Sequence, residues 1–394
     1  MTYLSARKKI KIERILISPL VLLGRIIGFF SPLKTKHQTI LFFSSADIGG
    51  APKVNADITN CIKELKPLII FSKRPKNNQF AHLFEIEGVR IMDLHNWIDN
   101  KLYHFVNIIF RGIIASWIRQ QKMKFIFGGE CIYFYKVIPY AGKTVKRIEL
   151  CHLDTWLGYS IGFVDFIDLR IFSTKALMRK VERQYRENYL SVKFSDRLLF
   201  IENFIDIPEY ELHQNEKLQV LFVGRGASQK RVHLIAAIAE KMQRAGDSVH
   251  FSFIGDVDNV IQTADYPFCT FYGNIKDQDY LNSIYKKSDV LILTSAYEGL
   301  PVVVMQMMAY GKIIVSTAVD GIPDYVRHNE NGLLITATEE SEIIDQGAEL
   351  LRILINDITL IEKFGQKSRA LAQSLFSEEV FRRSYRSVFG VTLN

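Results

Sequence analysis

From residue 39 onward, short runs rich in Ile, Val, Leu and Phe alternate with longer amphipathic stretches. The first half offers TILFFS (39–44), LIIFS (68–72), VRIMD (89–93), KFIFG (124–128), VKRIEL (145–150), DLRIFS (168–173) and RLLFIEN (197–203). The second half offers LQVLFVG (218–224), HFSFIG (250–255), FCTFYG (268–273), DVLILTS (289–295), KIIVST (312–317) and GLLI (332–335). Runs this apolar predict strands covered on both faces, and the helix-length segments between them predict parallel pairing. Two such sets predict an α/β chain of two doubly wound domains. Residues 204–217, FIDIPEYELHQNEK, are polar and contain Pro208, and read as the linker. The first domain then covers 39–203 and the second 218–375, with a terminal stretch 376–394.

Residues 1–38 stand outside that pattern. Arg7, Lys8, Lys9, Lys11 and Arg14 precede the run ILISPLVLLGRIIGFF (15–30), and Lys34 and Lys36 follow it. A membrane span needs about 20 apolar residues. This run is shorter, and Pro19, Gly24, Arg25 and Gly28 interrupt it. It also lacks a small-residue cleavage site of the A-x-A kind, which argues against a cleaved signal. Two readings remain: a segment lying in the bilayer interface with its lysines towards anionic lipid, and a helix packed on the first domain. The stretch 101–124, KLYHFVNIIFRGIIASWIRQQKMK, poses the same choice. It reads either as an interfacial surface with Phe110 and Trp117 in lipid, or as a core helix with snorkelling basic ends.

Composition narrows the class. The 394 residues are 48% hydrophobic and 23% charged, which fits a folded globular chain and excludes intrinsic disorder. A net charge of +8 suits a membrane surface, phosphorylated ligands or nucleic acid. The basic residues are scattered and no nucleic-acid motif appears, so no nucleic-acid partner is expected. Cys61, Cys131, Cys151 and Cys269 lie far apart without a C-x-x-C pair. They predict reduced thiols in a cytoplasmic protein, with neither structural zinc nor a disulfide framework.

The chemistry concentrates in two segments of the second half. Glu298-Gly-Leu-Pro-Val-Val-Val-Met-Gln306 follows the strand DVLILTS. Gly299 permits a sharp turn near a ligand, and Pro301 suits the first helical position. The helix starting there directs free N–H groups near Leu300 and Val302 at the crevice, an anion site suited to a diphosphate. Glu298 can accept hydrogen bonds from ligand hydroxyls, and the Gln306 amide needs partners within an apolar helical run. In LFVGRGASQKRVHLI (221–235), Gln229 stands where a dinucleotide motif needs its third glycine. What the loop offers is Arg225 and Lys230, two cations placed to neutralise a departing diphosphate. Asp256-Val-Asp258, Asp277-Gln-Asp279 and Asp165-Phe-Ile-Asp168 look like metal motifs, but Asp is common at turns and the cations make a metal unnecessary.

In order and spacing, Gly224-Arg225 with Lys230, FIGD (253–256), FYGNI (271–275), EGLP (298–301), VDGIPDYV and NGLL resemble the second domain of the retaining glycosyltransferases of family 4. The first half is similar more loosely, through Gly49-Gly50-Ala51 after the first strand, His152 after VKRIEL, and ENFID at 202–206. The final FSEEVFRRSYRSVF resembles the family's terminal helix that crosses back onto the first domain. The resemblance implies a GT-B fold of two Rossmann-like domains facing across a cleft, and a metal-independent transfer from a nucleotide-diphosphate sugar with retention of configuration. It implies no cofactor beyond that co-substrate. By the same resemblance, Glu298, Arg225, Lys230 and His152 are expected at the reaction, and Gly50, Ile275, Gly299, Leu300, Val302 and Gln306 at the donor. One departure stands out: the family's second glutamate, which holds the ribose, is Gln306 here. It keeps an acceptor but loses charge assistance, which an inactive partner subunit of the same fold would also tolerate. The expected acceptor is a glycan or a lipid-linked sugar at an anionic membrane surface, on the inner face of the plasma membrane.

Overall fold

A computed structural model describes residues 2–100, 104–211 and 215–392. Lys101 therefore lies outside the described residues, as do positions 212–214 of the expected linker. The chain divides into two compact units, residues 1–203 with 381–394, and residues 204–380.

Unit 1 is built on a parallel seven-stranded sheet. Its strands are β1 (Thr39–Phe43), β2 (Leu68–Phe71), β3 (Arg90–Asp93), β4 (Phe125–Gly129), β5 (Lys146–Cys151), β6 (Leu169–Phe172) and β7 (Leu198–Phe200), in the order β3-β2-β1-β4-β5-β6-β7. The five residues of β1 are all buried, as a strand covered on both faces requires. The strand order reverses between β1 and β4, the position where open α/β sheets leave a crevice beyond the strand ends. Helix α3 (Gly50–Cys61) follows β1.

The N-terminal residues form α1 (Tyr3–Leu16) and α2 (Ser18–Phe30), and α2 lies along α4 (His104–Gln121). The approach is too close for side chains. A Cβ on Gly24 would stand 2.0 Å from the Ile109 carbonyl oxygen, and one on Gly112 would stand 2.1 Å from that of Val21. Hydrogen bonds fasten the pair: the Trp117 indole donates to Ser31 O (2.8 Å) and the Gln120 amide to Gly28 O (3.0 Å). Tyr3 donates to Asp165 at 2.6 Å, and Arg111 pairs with Glu13 at 3.1 Å. The glycines read as interruptions of a span are thus the contact surface of a helix pair. The structure corrects the lipid reading of 101–124: Trp117 is buried, and Phe110 packs on the core and against Trp97. Among the described residues no helix is long and apolar enough to cross a membrane.

The C-terminal helix Glu378–Val388 brings the last residues to unit 1. Phe389 stacks edge-on against Phe125 (5.2 Å between centroids), and Arg386 pairs with Glu64 at 2.6 Å.

Unit 2 carries a parallel six-stranded sheet: β8 (Leu218–Val223), β9 (Val249–Ile254), β10 (Thr270–Gly273), β11 (Val290–Leu293), β12 (Ile313–Thr317) and β13 (Gly332–Ile335), ordered β10-β9-β8-β11-β12-β13. Here the order reverses between β8 and β11. Helix α5 (Val232–Ala245) follows β8, and α6 (Val302–Ala309) follows β11. Residues from the expected linker belong to this unit: Ile205 and Ile207 pack against its core, and Ile205 N donates to Phe376 O. All four cysteines are free thiols.

Candidate active site

The two loops beyond β8 and β11 meet at the reversal point of the unit 2 sheet. Gly255, after β9, has φ +125, and a Cβ there would lie 1.9 Å from Gly224 O, so glycine alone lets the two turns touch. Gly226 N donates to the Asp256 carboxylate at 3.0 Å. Arg225 between these anchors is left exposed, with no hydrogen bond or ion pair among the described residues.

Beyond it the loop is stitched to the β11 loop. Ala296 N donates to Gln229 O (2.8 Å), and the Gln229 amide donates to Tyr297 O (2.8 Å). Arg231 enters α5 with left-handed backbone at φ 45, and its guanidinium donates to Thr294 O (2.7 Å) and Ser295 O (3.0 Å). The result joins Lys230 Nζ to Glu298 Oε1 in an ion pair, and Ser295 Oγ donates to the same oxygen at 2.7 Å. Both side chains are largely withdrawn from water, with relative exposures of 15% for Lys230 and 7% for Glu298. The Glu298 backbone N–H donates to Asp320 at 2.8 Å, which fixes the turn from the other side.

Helix α6 begins one residue later than the sequence suggested, because Pro301 is its N-cap at ψ 137 and not its first helical residue. Val302 and Gly299 are exposed, and Leu300 is half-buried. Gln306 is half-buried, and its side chain makes no hydrogen bond among the described residues, so it is not a core amide satisfied by backbone. Ile275 lies beyond β10 and packs against the unit 2 core. No atom of the described residues would touch a Cβ at Gly299 or at Gly50, and neither has a positive φ. The fold itself does not require glycine at either place.

Unit 1 gathers its own set at the reversal between β1 and β4. Gly50 opens α3. Glu130, directly after β4, has φ 49, and its carboxylate accepts from His152 N (2.8 Å) and Leu153 N (2.9 Å). Burial pushes the Glu130 carboxyl up, against the two N–H groups that favour its charge. The His152 Nε2 and the Asn55 Oδ1 are both buried without a partner among the described residues. Burial lowers the His152 pKa to about 4, so the ring is neutral at pH 7 with an unbonded nitrogen.

Four of the six aspartates that resemble metal motifs have other employment. Asp256 holds Gly226 and Asn259, Asp277 caps the helix Gln278–Lys287, Asp165 meets Tyr3, Arg7 and Lys193, and Asp168 pairs with Arg147.

His152 gives a pH signature. A His whose folded pKa lies below its unfolded value of about 6.5 leaves the unfolded state binding more protons between the two. Its contribution to stability is therefore full above pH 6.5 and falls as pH drops towards 4. In thermal melts, the stability of wild type relative to His152→Gln should fall as pH drops from 6.5 towards 4. A constant difference across that range would show that His152 is not buried in its neutral form.

A chain of two parallel, doubly wound sheets, with an acid–cation pair at the reversal point of the second, has the GT-B fold. Comparison with known proteins agrees. Residues 217–352, which lie within unit 2, match the family model "Glycosyl transferases group 1". The chain is 24% identical over 277 residues to N-acetyl-alpha-D-glucosaminyl L-malate synthase of Bacillus anthracis, covering 66% of this chain and 71% of that one. It is 25% identical over 376 residues to an uncharacterized glycosyltransferase of Haemophilus influenzae, covering 90% and 97%. The crystal structure of Anabaena HepE in complex with UDP superposes with a TM-score of 0.69 at 16% identity, over 90% of this chain and 99% of that one.

Proposed function

We propose that this chain is a metal-independent glycosyltransferase that moves a sugar from a nucleoside-diphosphate donor to an acceptor hydroxyl with retention of configuration. The Lys230–Glu298 pair at the unit 2 reversal point carries the reading, since it holds a cation and a carboxylate together where a parallel sheet receives ligands. The donor belongs to unit 2. Arg225, Lys230 and the N–H groups at Leu300 and Val302 meet the diphosphate as charge develops on it. Glu298 orients the sugar, Ile275 flanks the base, Gln306 takes the ribose, and Gly299 leaves room for the ligand. The acceptor belongs to unit 1, where the unbonded Nε2 of His152 exchanges a hydrogen bond with a hydroxyl, and Gly50 is assigned to close approach of the donor. We further read the acceptor as a glycan or lipid-linked sugar of bacterial surface polysaccharide or glycolipid, met at the cytoplasmic face of an anionic membrane.

A uridine nucleotide is the first donor to try, because the HepE structure is a UDP complex. Thermal shift across a panel of nucleotide sugars should pick one out, as a ligand at 100 times its Kd stabilises by about 2.7 kcal/mol. That donor should then release its nucleotide in the presence of EDTA, and the product anomer should match the donor. Stabilisation by no nucleotide, or loss of turnover on chelation with rescue by Mg²⁺, would overturn the reading.

Gln306 also favours a second reading, a donor-binding subunit with little turnover, because charge assistance worth about 1 kcal/mol is missing. Its half-buried, unbonded amide sets the expectation for variants. Gln306→Glu should fold and lower the donor KM, and Gln306→Ala should raise KM more than it lowers kcat, as ribose contacts are shared by ground and transition states. Steady-state kinetics decide it: an equal fall in kcat and kcat/KM for Gln306→Ala removes the ribose assignment. Nucleotide binding without turnover in wild type and Gln306→Glu alike would favour the subunit.

A further inference from the structure

Helix α2 is apolar on both sides, and only one side has a partner. Val21, Gly24 and Gly28 are buried against α4, whereas Leu22, Ile26, Phe29 and Phe30 on the opposite face are 58%, 49%, 63% and 78% exposed. A helix that is hydrophobic all round needs cover all round. Between this face, the end of α4 and the loop before β5 lies a hollow of about 1240 Å³, and Arg25, Arg119, Lys122 and Lys124 line it without a single carboxylate. A second hollow of about 760 Å³ adjoins it through Leu22, Arg25 and Tyr140, adds Lys11 and Arg14, and is also free of acids.

We propose that this groove seats the phosphate of an anionic phospholipid, with the exposed face of α2 immersed among the acyl chains. Four cations of one sign around an apolar wall complement a ligand that is anionic at one end and hydrocarbon at the other. A soluble anion has no use for Phe29 and Phe30, and an apolar protein partner has none for four unneutralised cations. The groove also lies at the opposite end of the unit 1 strands from the proposed acceptor residues. Lys124 precedes β4 and Glu130 follows it, six steps at ~3.3 Å each, roughly 20 Å apart. Lipid docking is therefore separable from the chemistry at His152 and Glu130. The inference deepens the membrane part of the proposed function and rests on that reading for its biological setting.

The test uses the full chain and vesicles of phosphatidylcholine with or without 30% phosphatidylglycerol. Wild type should sediment with the anionic vesicles only, and less as salt rises. Arg119→Gln with Lys124→Gln, both exposed, should weaken that binding roughly 30-fold, at about 1 kcal/mol per cation. Phe29→Ser with Phe30→Ser should weaken it as well. Turnover of a soluble donor and the melting temperature should stay at wild-type values in both double variants. Equal binding to neutral vesicles overturns the proposal, and so does wild-type binding by the Arg119/Lys124 variant. A loss of binding only when Lys8 and Lys9 are replaced also overturns it, by moving the contact to α1. Because vesicle binding is read without any donor, absence of turnover would defeat the enzyme reading and leave this result standing.

Discussion

Arg225→Ala should lower kcat by about 10²–10³ while leaving the melting temperature where it was. The magnitude is that of losing one preorganised group aimed at developing charge in a site shielded from water. The unchanged stability follows from geometry, because the Arg225 side chain is exposed and holds nothing in place among the described residues. Lys230→Ala should cost as much turnover and differ in the second measurement. Its ammonium is the cation beside Glu298, whose side chain is only 7% exposed, so removing it strands a carboxylate with Ser295 as its remaining side-chain partner. A buried charge stripped of its partner is destabilising, and the Lys230→Ala melting temperature should fall. Lys230→Ala with Glu298→Gln should recover the stability and none of the activity. The pair of readouts is what tests the proposed site, in which we assign Arg225 to the ligand alone and Lys230 to both the resting fold and the reaction. Wild-type turnover in both single variants would remove the diphosphate from this loop.

The sheets were legible because strands buried on both faces must be continuously apolar. Every run named from the sequence coincides with a strand, from Thr39–Phe43 to Gly332–Ile335. The pair at the heart of the site was legible only as two separate residues. Lys230 and Glu298 each stood out by type and position, but their contact depends on how two loops 68 residues apart are stitched. Arg231, which does much of that stitching, carries no signal of its own in the sequence. Its role comes from left-handed backbone that turns its guanidinium onto the carbonyls of 294 and 295, and no side-chain pattern announces that. Glu130 and Asn55 were missed for a related reason. They belong to no spacing motif, and it is the pairing of β1 with β4 that brings their segments together beyond the C-terminal ends of the two central strands. An acid directly after a strand, as in KFIFGGE, was the available signal. The stretch 101–124 left two readings open, of which the core helix holds, because an apolar helix looks the same whether lipid or another helix covers it. Gly24, Gly28 and Gly112 were the clue, since small residues let two backbones approach.

The largest loss of stability should come from neither site. Glu149 on β5 and Arg170 on β6 stand directly opposite each other in the sheet register, and both side chains are almost wholly excluded from water. The guanidinium is bidentate on the carboxylate, with Nε at 2.6 Å and Nη2 at 3.2 Å. It also donates to the Tyr185 hydroxyl at 3.0 Å and the Ser160 hydroxyl at 2.8 Å, and the Tyr135 hydroxyl donates to the carboxylate. Such a network is satisfied only when whole. Arg170→Met leaves an unpaired carboxylate inside unit 1, which should cost about 3–5 kcal/mol. Arg170→Met with Glu149→Leu removes both charges and should recover most of that loss, because desolvation of the pair offsets much of its attraction. All three tryptophans, Trp97, Trp117 and Trp156, belong to unit 1, so their fluorescence follows its unfolding without contribution from the other unit. Urea titrations read in this way should show a midpoint shift for the single variant and near wild-type behaviour for the double. If the single variant loses less than about 1 kcal/mol, water reaches Glu149 and the network is not sealed. Donor affinity, which we assign to unit 2, should be the same in both variants wherever unit 1 remains folded.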